Sequence, residues 1–161
     1  MKIKLGNSNF QRQIEKEMLL LYAKKHDNIV FDEDSPILRG ASVKIDGYSR
    51  EKLVACEAYA HIGKLKPGQV HKVAQDALKL VYLDEKIGKK HKKVLLFADE
   101  QACKIFKYPE KLRPSQNAKW IADCLGEFKI DTWVAPLSPE TMAELLMWQE
   151  KQGRKFRKKK S

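Results

Sequence analysis

Glu57 is the residue whose position demands chemistry. It lies in Leu53-Val54-Ala55-Cys56-Glu57-Ala58-Tyr59-Ala60, a run of otherwise apolar and aromatic side chains. An ionised carboxylate is too costly to bury alone, so it must be paired, protonated or bound to a metal. Asp46 lies a short way upstream, where Ser42, Lys44 and Asp46 alternate with Ala41, Val43 and Ile45. That is the period of two of a strand. If Arg50-Glu51 forms a two-residue hairpin loop, residue 46 faces residue 55, and Glu57 is its diagonal neighbour on the same face. Such neighbours lie roughly 7–8 Å apart. Two carboxylates so placed can converge on a hard cation, which prefers oxygen ligands. A register shift of one residue would send them to opposite faces. The competing arrangement pairs Glu57 with a lysine and leaves Asp46 as a polar residue near a turn. Residue types alone leave both open.

The elements that would position this pair are readable from periodicity. A helix is expected over residues 9–25, with Phe10, Ile14, Met18, Leu21 and Tyr22 as its apolar stripe. Residues 37–62 read as a hairpin with its turn at 47–51 and a second strand over 52–60. A helix over 69–83 carries Val70, Val73, Ala77, Leu80 and Val81 inward. Residues 84–93 read as a linker. Val94-Leu95-Leu96-Phe97-Ala98 is a continuous apolar run, expected of a strand buried on both faces. Asp99 is a candidate cap for a short helix ending near residue 106, and Ser115 for a further one. Residues 130–135 form a last strand, and Ser138-Pro139-Glu140 opens a last helix. A hairpin followed by alternating helices and strands implies an α/β fold, a mixed central sheet flanked by helices.

The 161 residues suit one domain, taken as 1–153, with a basic disordered tail over 154–161. The net charge of +11 is the most informative bulk property. A field of that sign concentrates polyanions, so nucleic acid is the expected partner, with an anionic membrane surface second. The excess gathers at Lys86, Lys89, Lys90, Lys92 and Lys93, and again from Lys151 to Lys160. No apolar run approaches a bilayer span, so neither a membrane protein nor a signal peptide is expected and the location should be cytoplasmic. Cys56, Cys103 and Cys124 are far apart and lack CxxC spacing, which argues for buried thiols rather than zinc or disulfides. There is no HxxxH pair and no glycine-rich phosphate loop.

Asp46-Gly47-Tyr48, Glu57-Ala58-Tyr59-Ala60-His61-Ile62-Gly63-Lys64-Leu65-Lys66, and the helix opening Gln69-Val70-His71-Lys72, with Asp76, Lys79 and Leu80 following, resemble the core of the PD-(D/E)xK nuclease superfamily. The element order also resembles that superfamily's restriction-endonuclease-like αβββαβ core, over about residues 9–98, with the C-terminal α-β-α elements added. The resemblance implies a metal-dependent nuclease that hydrolyses phosphodiester bonds, of DNA rather than RNA. Asp46 and Glu57 would hold Mg²⁺ or Mn²⁺, and Glu17 resembles the first-helix acid that some members add as a ligand. The superfamily's lysine normally stands two residues after the second acid, and here that position is Tyr59. Some members carry the lysine on the following helix, which makes Lys72 the candidate, with Lys64 and Lys66 as alternatives. If none reaches the site, a catalytically inactive nucleic-acid-binding relative is implied instead. The expected nucleic-acid contacts are Lys64, Lys66, Gln69, Lys79, Lys89, Lys90, Lys92, Arg154, Lys155 and Arg157. Many members act as homodimers, although nothing in this chain marks a dimer face. Asp76 has helical spacing to Lys72 and to Lys79, so pairing with Lys72 or Lys79 is its simplest role. His61 is a lone histidine at a strand end, more suited to a structural contact than to phosphate.

Overall fold

The computed structural model describes residues 7–34, 36–38, 41–113 and 116–158. Helix α1 (Asn7–Lys25) leads to a two-residue pair, β1 (Ile37–Leu38) and β2 (Ala41–Ser42). The main sheet follows: β3 (Gly47–Ser49), β4 (Val54–Tyr59), helix α2 (Pro67–Ile87) and β5 (Lys92–Phe97). Helix α3 (Glu100–Lys107), a 3-10 turn (Pro109–Lys111), α4 (Asn117–Glu127), β6 (Ile130–Val134) and α5 (Pro139–Lys158) complete the chain. The sheet order is β3-β4-β5-β6, with β3 antiparallel to β4 and the other pairs parallel. This is the mixed α/β sheet flanked by helices that the element order implied.

Alternation along the strands divides the interior in two. Ala55, Tyr59, Leu95 and Phe97 face α2, α3 and α4, against Val73, Leu80, Cys103 and Ile121. Val54, Cys56, Ala58, Val94 and Leu96 face the opposite side, against Ile14, Met18 and Tyr22 of α1 and Leu145 of α5. Strands covered on both faces must be apolar throughout, which is why β4 and β5 read as continuous hydrophobic runs. Cys56 and Cys103 are buried, while Cys124 is only partly so. Among the described residues no helix is long and apolar enough to cross a membrane.

The first half of the chain departs from its expected layout. Residues 47–49 are strand rather than turn, and Ala41–Ser42 pairs with β1 instead of entering the main sheet. Ser49 pairs with Val54, so the hairpin loop is the four residues 50–53 and not Arg50-Glu51 alone. Leu53 closes it with φ of 50°, in the left-handed region. Gly47 belongs in the strand because of what covers it: a Cβ there would lie 2.5 Å from Leu19 Cδ2 and 3.1 Å from the Phe31 ring. We expect Gly47→Ala to cost about 1–3 kcal/mol through overpacking. Urea unfolding measures this, and an unchanged midpoint would show that Leu19 moves aside freely.

Other boundaries also move. Helix α2 runs to Ile87, into the expected linker, and stops where Gly88 takes φ of 70° and returns its N–H to the Asp84 carbonyl. Asp99 precedes α3 but does not cap it. Its Oδ2 instead accepts the Gly63 N–H at 2.7 Å, holding the turn after β4. Ser115 lies outside the described residues. Ser138 caps α5 as expected, its Oγ accepting the Thr141 N–H at 3.1 Å. The α5 backbone continues to Lys158, beyond the expected domain end at Gly153 and into the segment expected to be a disordered tail.

Lys93 is not part of a solvated basic cluster. It is buried, with Nζ 2.6 Å from Asp84 Oδ2, and the other Asp84 oxygen accepts the His91 backbone N–H at 2.9 Å. The His91 ring packs between Asp84, 2.8 Å from its Nδ1, and the Tyr48 hydroxyl, 3.4 Å from its Nε2. This network ties the end of α2 to the start of β5 and to β3.

Candidate active site

Continuing the β3–β4 register by one residue brings Asp46 opposite Glu57. The register differs from the expected one by two positions, and Asp46 itself lies in the bend before β3, where its charge acts on Glu57. Asp46 is exposed, and its Oδ2 accepts the Ala58 N–H at 3.0 Å. Glu57 is 1% exposed, on the face that carries Ala55 and Tyr59 toward α2. Burial, and then the neighbouring Asp46 charge, push its carboxyl up to about 9. Lys79 opposes this with Nζ 2.8 Å from Glu57 Oε1, but does not overcome it.

Helix α2 supplies the rest of the cluster because positions 72, 76 and 79 fall on one stripe. Asp76 is 4% exposed and fully engaged. Its Oδ2 lies 2.8 Å from Lys72 Nζ and accepts the Tyr59 hydroxyl at 3.0 Å, while Oδ1 is 3.0 Å from Lys79 Nζ. Burial works against its ionisation, but hydrogen bonds from Lys72 and Lys79 win and hold it below the usual carboxylate range. Helical spacing offered Asp76 Lys72 or Lys79 as a partner, and the structure pairs it with both. Burial, and then the charges of Asp76 and Glu57, raise the Tyr59 phenol well above its usual range, so it remains a donor.

The Lys72 ammonium lies over the Tyr59 ring, 5.0 Å from its centroid, so α2 places a cation beside this strand residue. Burial tends to lower the Lys72 pKa, but the Asp76 hydrogen bond and the charges of Asp46 and Glu57 raise it overall.

Among the other expected site residues, Lys79 sits inside the carboxylate cluster rather than free on the surface for phosphate. Gln69 caps α2, its Oε1 accepting the Lys66 N–H at 2.7 Å, and its Nε2 lies 3.0 Å from His61 Nδ1. His61 has thus a structural partner, and burial lowers its pKa. Lys64 and Lys66 are exposed on the turn after β4. Lys92 pairs with Val54 at the other end of that strand, with Lys89 and Lys90 just before it. The two basic groups therefore lie at opposite ends of the sheet. The side chains of Arg154, Lys155 and Arg157 lie outside the described residues.

The acid that α1 contributes is Glu15, not Glu17. Glu15 accepts a hydrogen bond from Gln11 Nε2 at 2.9 Å and another from the Ala60 backbone, and it feels the charges of Asp46 and Lys72. Burial raises its pKa. No contact joins Glu17 to Asp46 or Glu57 among the described residues. The signal for Glu15 was its place one turn before Leu19, the side chain that covers Gly47 next to Asp46.

The donor set fits a small hard cation in a restricted sense. Among the described residues, no group of three or more His, Cys, Asp or Glu is arranged to hold a metal. Mg²⁺, however, is commonly held by one or two carboxylates together with water and substrate phosphate. Exposed Asp46 and buried Glu57, whose ionisation is opposed by burial first and by the Asp46 charge second, are the two carboxylates that would hold such an ion, and a dication would relieve their repulsion. No protein-family model, curated protein or solved structure matches this chain.

Proposed function

We propose that the protein is a metal-dependent phosphodiesterase acting on nucleic acid. More narrowly, we read it as a nuclease of the PD-(D/E)xK type, cutting DNA, in which the missing strand lysine is replaced by Lys72. The observation that supports this most is Asp46 held on the Ala58 N–H, next to buried Glu57, with the Lys72 ammonium over Tyr59.

Asp46 and Glu57 would hold Mg²⁺ or Mn²⁺, Asp46 from the solvent side and Glu57 from within the sheet. When bound, the ion supplies Lewis-acid chemistry and lowers the pKa of a water. Lys72 presents a fixed positive charge toward the phosphate, where negative charge grows in the transition state. Asp76 and Tyr59 orient that lysine. Lys79 holds the inner carboxylate pair together through Glu57 and Asp76.

A second reading, a non-cutting nucleic-acid binder, is favoured by one observation: Lys79 already provides Glu57 with a cation at 2.8 Å. Cleavage of a panel of supercoiled, linear, branched and single-stranded DNA plus RNA, with and without EDTA, separates the two. Metal-dependent cutting lost in Glu57→Ala supports the nuclease; salt-sensitive binding without cutting supports the binder. Within the nuclease reading, Lys72→Met is expected to reduce single-turnover cleavage by about 10²–10³-fold. DNA binding should change by far less. Full activity in that variant would remove Lys72 from the mechanism.

A further inference from the structure

A groove of about 690 Å³ that the mechanism does not use lies between α5 and the turn after β4. One wall is α5, through Trp148 and Gln149. The other is the turn after β4 and the first turn of α2, through Lys64, Lys66 and Gln69. Gln11 and Ala60, the two residues that hydrogen-bond Glu15, also line it, and Glu150 of α5 adds one carboxylate. Its walls are locked together by Gln149, whose Oε1 accepts the Ile62 N–H at 2.7 Å and whose Nε2 donates to the Ile62 carbonyl at 3.1 Å.

The chemistry of the groove is specific. Lys64 and Lys66 are exposed at its rim, beside the N-terminus of α2, whose first turn carries no acid. The indole Nε1 of Trp148 is buried without a hydrogen-bond partner, a donor that lacks an acceptor. Phe10 supports the indole from the α1 side, with ring centroids 6.0 Å apart. Cationic side chains and a partly exposed aromatic ring along one groove suit a strand that offers both phosphates and exposed base faces. Bases within a duplex have those faces covered by their neighbours, whereas unpaired bases stack on aromatic side chains.

Building on the nuclease reading above, we propose that this groove receives an unpaired polynucleotide strand. The substrate then carries a single-stranded segment beside the bond presented to Asp46 and Glu57. Lys64 and Lys66 hold its backbone, and Trp148 takes a base.

The test is fluorescence anisotropy without divalent metal, so that no cutting occurs. The probes are a short labelled single-stranded DNA, its RNA counterpart and the blunt duplex of the same sequence. Single strands should bind about tenfold or more tighter than the duplex. Trp148→Ala should cost single-strand binding about 5- to 150-fold and leave duplex binding little changed, while Trp148→Phe retains most of it. Lys64→Ala combined with Lys66→Ala, both at exposed positions that folding does not need, should reduce the salt slope of single-strand binding by roughly 1.4. The DNA and RNA arms show which sugar the groove accepts. Equal affinity for duplex and single strand, or single-strand binding indifferent to the lysine pair, would overturn the proposal. A protein that cuts DNA without single-strand preference removes the groove proposal alone. One that prefers single strands and never cuts removes the nuclease reading alone.

Discussion

Replacing Glu57 by glutamine is expected to abolish metal-dependent cleavage and, at the same time, to make the folded protein more stable at pH 8. The first effect follows if Glu57 is half of the protein's metal donor set, and a loss of more than about 10³-fold is expected. The second follows from its pKa. In the unfolded chain the carboxyl titrates near 4.5, and in the native protein near 9. Between those values the native state keeps a proton that the unfolded chain releases, so stability falls as pH rises through the window. Glutamine imitates the protonated acid and removes that slope. Melting temperatures of the two proteins should converge near pH 4.5 and separate by about 10 °C or more at pH 8. Lys79 keeps Asp76 as a partner in the variant, so no unpaired cation is created. A variant less stable than wild type at pH 8 would show that the Lys79–Glu57 pair stabilises the fold, and would undercut the functional reading of this acid. The same proton should leave when Mg²⁺ binds. Calorimetry in two buffers of different ionisation heat would detect its release.

The second large effect is expected far from the site. Asp84→Asn should destabilise the protein by about 3–5 kcal/mol, because it leaves the buried Lys93 ammonium without its counter-charge. Asparagine preserves the shape and the bond from the His91 N–H, so the loss reports on charge rather than on packing. Burial opposes ionisation of Asp84, but Lys93 and the His91 N–H hold its carboxyl below the usual range. Its contribution is therefore present above the unfolded carboxylate pKa and is lost as pH falls below it. Urea unfolding at pH 7 and at pH 3 measures both statements. A loss under about 1 kcal/mol at pH 7 would mean that Lys93 finds water when its partner is removed.

What was legible in the sequence follows the range of the forces involved. The buried strand at Val94–Ala98 and the start of α5 were readable because each is specified by adjacent residues, an apolar run in one case and Ser138-Pro139 in the other. The pairing of Asp76 with Lys72 or Lys79 was readable for the same reason, since helical spacing alone brings them together. Gly47-Tyr48-Ser49 looked like a turn by composition. It is a strand because Leu19, from a distant helix, packs where a side chain would otherwise stand. Glu15 was missed, and Glu17 preferred, because the choice depends on the rotation of α1 over the sheet, which no local pattern encodes. The hairpin loop is two residues longer than its composition suggests, because residues 50–53 and not Arg50-Glu51 alone connect Ser49 to Val54.

The clasp between Gln149 and Ile62 joins positions separated by 87 residues. During synthesis, β4, α2 and their acidic and basic side chains leave the ribosome long before α5 exists. Until residue 149 emerges, the passage beside Glu15 has one wall only. Any engagement with the messenger or ribosomal RNA close at hand is therefore weakest in the nascent protein, and the last helix to be made is the one that completes the grip.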